Sequence, residues 1–139
     1  MYMGGQRMSS YYDAPPVIAI IPKTENGDVL QLKKAMVYHW RDRELKVPRG
    51  FRSDGASVPR FLWATVSPQI DPRTLAGAIG HDYIYRNHPE GWTRKDADEF
   101  FYDVIREDGL SWLASQKAYW GVRIFGKSAW EASNDSTEF

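Results

Sequence analysis

The sequence predicts an α+β fold: a small antiparallel β-meander in the N-terminal half, packed on a three-helix unit with a central antiparallel helix pair. Three observations predict it. Short β-branched and aromatic runs broken by Gly, Pro, Asn and Asp fill residues 17–47. Apolar stripes of helical period, each preceded by a capping residue, fill residues 71–125. The 139 residues are 42% hydrophobic and 14% aromatic, so one core can offset the entropy of ordering the chain.

Residues 1–14 lack periodicity and read as a flexible arm, mobile or docked on a partner, that Pro15-Pro16 ends. Val17–Ile21 is a strand stopped by Pro22, and Asn26-Gly27 is a tight turn because both residues tolerate positive φ. Val29–Leu32, Ala35–Trp40 and Glu44–Val47 continue the meander, with a polar corner at Arg41-Asp42-Arg43. His39 falls in this sheet as a cross-strand partner. Pro48 and Gly50 then break it, and Asp54-Gly55 and Val58-Pro59 exclude a regular element over Phe51–Trp63. That stretch is either an ordinary turn plugging the core with aromatics or a loop presenting carbonyls and Asp54.

Asp71-Pro72 opens the first helix, as N-cap and first helical residue. Leu75, Ala78, Ile79 and Asp82 share a stripe; His81 and Tyr85 lie four apart on the adjoining face. The helix ends near Asn87-His88-Pro89. Thr93 and Asp96 form a capping box for the second helix, whose apolar face is Ala97, Phe100, Phe101, Val104 and Ile105, with Gly109 closing it. Asp98 borders that face. Ser111 caps a third helix, Trp112 to Phe125, with several apolar faces, so it should be sandwiched. Residues 127–139 read as a polar tail with at most one turn, leaving 15–126 as a single domain.

Lys plus Arg equals Asp plus Glu at 18 each, which argues against a protein built to cover nucleic-acid phosphates. The local patch Lys46, Arg49, Arg52 and Arg60 reads as a solvated face. There is no cysteine, so disulfides and thiolate metal sites are excluded. No run approaches the roughly 20 apolar residues of a membrane span, and the first residues have no secretory core. The expectation is synthesis in a reducing host cytoplasm without signal-peptide secretion, with incorporation in a particle left open.

Chemistry concentrates in LAGAIGHDYIYRNHPEGWTRKDADEFF, residues 75–101. The short connection makes the two central helices antiparallel, so His81 near the end of one faces Asp98 near the start of the other. A buried carboxylate accepting from one imidazole nitrogen leaves the other as a general base. Asp82 then needs a cation: a metal ion, or Arg86, Arg94 or Arg60.

The series Asp54-Gly55-Ala56-Ser57-Val58-Pro59, His81-Asp82-x-x-Tyr85-Arg86 and Ala97-Asp98-x-x-Phe101 resembles the phospholipase A₂ superfamily, especially its small bacterial branch. The resemblance implies His81 as water-activating base, Asp98 as its orienting residue and Asp82 as a calcium ligand. Asp54 and loop carbonyls of Gly55 and Ser57 would complete the calcium set, with Tyr85, Arg86, Arg94 and Tyr102 in support. The usual glycine-rich calcium loop and the helix-tying disulfides are absent. The similarity spans residues 54–102 only.

A second resemblance covers residues 47–126. VPRGFRSDGASVPRFLW, GHDYIYR, R-x-x-AD-x-x-F-Y and YWGVRIFG together are similar to a domain-of-unknown-function family of tailed phages and prophages. It implies a phage context and a virion or tail-associated part, with other tail or baseplate proteins as partners. Two readings follow. One is a calcium-assisted ester hydrolase with lipid as first substrate class; the other is a non-catalytic particle component whose His/Asp cluster staples helices. An HD-type phosphohydrolase using His39, His81 and Asp82 would need further ligands on helices, whereas His39 lies in a strand pattern.

Overall fold

The computed structural model describes residues 11–22, 28, 30–53 and 71–136, of which 134–136 by backbone alone. Its elements run β1 (Ile18–Ile20), β2 (Leu30–Leu32), β3 (Met36–Trp40), β4 (Arg43–Val47), β5 (Arg52–Ser53), α1 (Leu75–Asn87), α2 (Arg94–Glu107), α3 (Trp112–Phe125) and α4 (Lys127–Ser136). The α+β class stands as predicted: small antiparallel sheets precede the helices.

The strands do not form one meander. β2 is the centre of a three-stranded sheet in the order β1-β2-β5, and β3-β4 is a separate hairpin. The cause lies at Gly50, whose φ of +93° only glycine adopts readily. There the chain folds back so that Gly50 N–H donates to Leu32 O and Leu32 N–H to Phe51 O, each at 2.9 Å. β5 thereby takes the free edge of β2. The hairpin turns through Arg41 and Asp42, both left-handed, the backbone twist a tight antiparallel turn requires. His39 pairs with Glu44, as a cross-strand residue should. Its exposed Nε2 lies 2.9 Å from Asp13 Oδ1. The end of the predicted arm is therefore docked on its own domain: His39 N–H donates to Tyr11 O at 2.8 Å, and the Tyr12 hydroxyl donates to Asp108.

Period-2 alternation turns Met36, Tyr38 and Trp40, and opposite them Leu45 and Val47, into the core. They meet Ile79 and Ile84 of α1 and Ala97, Phe100 and Val104 of α2. Tyr38 is fully buried, so its hydroxyl requires a partner; it donates to Ala76 O at 2.6 Å.

α1 begins three residues later than predicted. Asp71 accepts the Arg73 backbone N–H at 2.8 Å and its guanidinium at 2.7 Å, holding a turn ahead of the helix. α2 starts as predicted, with both halves of the Thr93/Asp96 capping box present. α3 has the predicted bounds but is not sandwiched. It packs on α2 through Ala114, Ala118 and Val122, while Trp112, Leu113, Trp120, Ile124 and Phe125 are each more than half exposed. The expected structureless tail is instead α4, whose Trp130 stacks on His88 at 3.8 Å and meets the Tyr85 ring edge-on. Among the described residues no helix is long and apolar enough to cross a membrane.

Candidate functional site

Glycine spacing brings α1 and α2 together. A Cβ on Gly80 would lie 2.6 Å from the Phe100 ring, and one on Gly77 would lie 2.9 Å from Ile105. The bare backbone of α1 therefore rests directly on α2 side chains, and the next residue, His81, points into the same interface.

There His81 Nε2 lies 2.7 Å from Asp98 Oδ1, with the two side chains 1% and 0% exposed. The same oxygen accepts the Tyr85 hydroxyl at 2.7 Å. Asp98 Oδ2 accepts Arg123 Nη1 at 2.7 Å and lies 3.5 Å from Arg94. Burial alone would push the Asp98 carboxyl up. Hydrogen bonds from His81, Tyr85 and Arg123 outweigh that and hold it below the usual carboxylate range. The Tyr85 phenol moves well up, through burial first and then the Asp98 charge beside it. In a neutral imidazole with Nε2–H donating to Asp98, the lone pair is on Nδ1. That atom is buried and has no hydrogen-bond partner among the described residues.

Asp82, the neighbour of His81, accepts Arg86 Nε at 2.8 Å, one helical turn on. The same guanidinium reaches Asp28 Oδ1 at 2.8 Å and Arg52 O at 3.1 Å. The cation beside Asp82 is thus a side chain, one of the alternatives open from the sequence. Asp54, Gly55 and Ser57, the other expected calcium ligands, lie outside the described residues. Among the described residues no three His, Cys, Asp or Glu side chains gather as a metal-ion set, and Arg86 occupies one of the two Asp82 oxygens.

The predicted residues therefore divide. His81, Asp98, Tyr85 and Arg94 come together, with Arg94 Nη1 also donating to the Tyr85 oxygen at 3.3 Å. Asp82 and Arg86 form an adjoining pair. Tyr102 does not join: its hydroxyl accepts Gln116 Nε2 at 3.2 Å, and its ring meets Tyr119 on the far side of α2. Its register on α2 turns it toward α3. Sequence reasoning missed Arg123, which reaches Asp98 from α3, and Asp28, which reaches Arg86 from beside the sheet. Neither has a local signal; both depend on how distant elements dock.

Two proteins of Sinorhizobium fredii (strain NBRC 101917 / NGR234) are similar to the chain. The uncharacterized protein y4jT is 30% identical over 80 residues, 58% of this chain and 23% of that protein. The uncharacterized protein y4iH is 28% identical over 75 residues, 54% of this chain and 30% of that protein. The chain thus spans less than a third of the length of these relatives. No solved structure matches it. The family model of a protein of unknown function, DUF1353, matches residues 30–122, which include every described residue of the His81–Asp98 cluster except Arg123. The chain belongs to the DUF1353 family.

Proposed function

We propose that the His81–Asp98 pair is the general base of a hydrolase acting on ester bonds, with lipid esters as the first substrate class. One observation supports this above the rest: the imidazole is anchored through Nε2 by a carboxylate held ionised, while its buried Nδ1 has no partner among the described residues. A buried imidazole nitrogen left without a bond is unfavourable and has no role in a purely structural staple. For a base an unbonded lone pair is required, and once water reaches Nδ1 that atom takes its proton as it attacks, while Asp98 stabilises the imidazolium that forms. Tyr85 and Arg123 fix the carboxylate that does so. Calcium, implied by the phospholipase A₂ resemblance, would share Asp82 with Arg86, which bonds its Oδ1.

The test is turnover of short-chain and phospholipid esters by wild type and His81→Ala, each with calcium and with chelator. Loss of turnover in His81→Ala supports the base. Turnover unchanged in that variant, or absent in wild type on every ester class, refutes it. Strict calcium dependence would return a metal role to Asp82.

A second reading, a non-catalytic part of a tailed-phage particle, is favoured by one specific observation. Asp98 is bound from three helices at once by His81, Tyr85, Arg94 and Arg123, an arrangement suited to stapling them. The phage context comes from the sequence motifs alone. Mass spectrometry of purified particles tests it: absence of the chain from the virion contradicts this reading and leaves the first intact.

A further inference from the structure

On the side of α2 away from His81, a cleft of about 320 Å³ opens between the hairpin tip, α2 and α3. Its walls are aromatic. Tyr119 meets Tyr102 edge-on at 5.8 Å and Trp120 edge-on at 5.1 Å. Two carboxylates one helical turn apart, Glu99 and Asp103, stand among these rings. Asp103 Oδ2 accepts the Trp40 indole N–H at 2.7 Å, but Asp103 pairs with no cation among the described residues. Glu99 already has its cations, Arg41 Nη1 at 2.9 Å and Lys95 Nζ at 3.8 Å, and the Arg41 guanidinium also lies 4.2 Å from the centre of the Trp40 ring, so Asp103 is the carboxylate of the cleft left to a partner's cation. A planar cation between a ring face and a carboxylate gains from both.

The cleft does not stand alone. Trp120 lines it and is 54% exposed, and from there an apolar stripe follows α3. Trp112, Trp120 and Ile124 share the four-residue spacing of one helix face, with Leu113 beside them, and these four are 54–65% exposed. Contiguous exposed apolar surface of this kind marks an interaction site.

We infer that this face binds a protein segment that lays apolar side chains along α3 and inserts an arginine or lysine into the cleft beside Asp103. Charge complementarity selects this occupant. A purely apolar segment would leave Asp103 without a cation, and an anionic lipid surface would meet that carboxylate beside Trp120. The binding is independent of the chemistry at His81.

The probe is a model peptide of alternating leucine and arginine, titrated into the full chain by calorimetry and by the NMR signals of the Trp120 indole and Gln116 amide. A matched peptide with citrulline for arginine removes the charge and keeps the shape. We expect saturable shifts of both signals, and affinity at least tenfold weaker for the citrulline peptide and for Asp103→Asn, which keeps an acceptor for Trp40. Trp120→Ala, an exposed position, should abolish binding without lowering the melting temperature. Equal affinity for the two peptides, or no shift at either signal, overturns the inference. So does self-association of the free chain abolished by Trp120→Ala, or uptake by phosphatidylserine vesicles in place of the peptide.

Discussion

Asp98→Ala removes a carboxylate on α2 that bonds side chains of both α1 and α3. The loss can be worked from the contacts. Arg123, 24% exposed, can swing toward water, and Arg94 keeps its bonds to Val122 O and Arg123 O, so neither contributes much to it. The His81 Nε2–H and Tyr85 O–H cannot, because both residues are buried. Two orphaned buried donors at about 1–3 kcal/mol each set a total of about 3–5 kcal/mol, the range for breaking a buried ionic cluster from one side. For a chain of this size that is a drop in melting temperature on the order of 10–15 °C. Asp96→Ala is the matched control, a carboxylate two residues away that loses a cap and a surface ion pair, worth about 1 kcal/mol. Thermal and urea unfolding followed by circular dichroism measures both. The pH dependence adds a check. Asp98 titrates lower in the fold than in the unfolded chain, so its stabilisation is present above the ordinary carboxylate value of 3.8 and disappears as pH falls through its folded value. Asp98→Asn should flatten wild type's loss of stability below that point. An Asp98→Ala cost no larger than that of Asp96→Ala would refute the reasoning.

Two further outcomes are expected. Gly80→Ala should destabilise by about 1–3 kcal/mol in urea unfolding although alanine is the better helix former, because its Cβ meets the Phe100 ring at 2.6 Å; a gain in stability would show that the helices can separate freely. Asp108 is pushed up to about 6, by burial first and Glu107 next, against the Tyr12 hydroxyl bond. A carboxyl whose folded pKa is raised binds its proton more tightly folded than unfolded, so its ionised form lowers stability above about pH 6, and that loss is relieved as pH falls toward 3.8. Asp108→Asn keeps an acceptor for Tyr12, so it should melt higher than wild type at pH 7 by about 1 kcal/mol after solvent screening. The gap should close near pH 4; a gap independent of pH would contradict the assignment.

Periodicity made α2 and α3 legible because their signals are local: the Thr93/Asp96 box fixes one start and Ser111 the other. The His81–Asp98 contact was legible too, since a short connection between two helices leaves one antiparallel packing. What failed depends on tertiary docking. β5 is two residues with no strand signature until Gly50 places it beside Leu30 and Gln31. α4 is polar and acquires its place through Trp130 on His88 and Tyr85. The apolar faces of α3 suggested burial on all sides, yet the small residues Ala114 and Ala118 pack inward while the large ones remain in water. The cation at Asp82 was one of several alternatives, and only docking selects Arg86.

The central claim is that Asp98 holds His81 by Nε2 and leaves Nδ1 as a lone-pair nitrogen. Nitrogen-15 NMR of the imidazole at neutral pH tests it most directly. A single Nε2–H tautomer is expected, with an Nδ1 signal typical of an unbonded ring nitrogen and tautomer exchange appearing in Asp98→Ala. A proton resident on Nδ1, or averaging between tautomers in wild type, would contradict it.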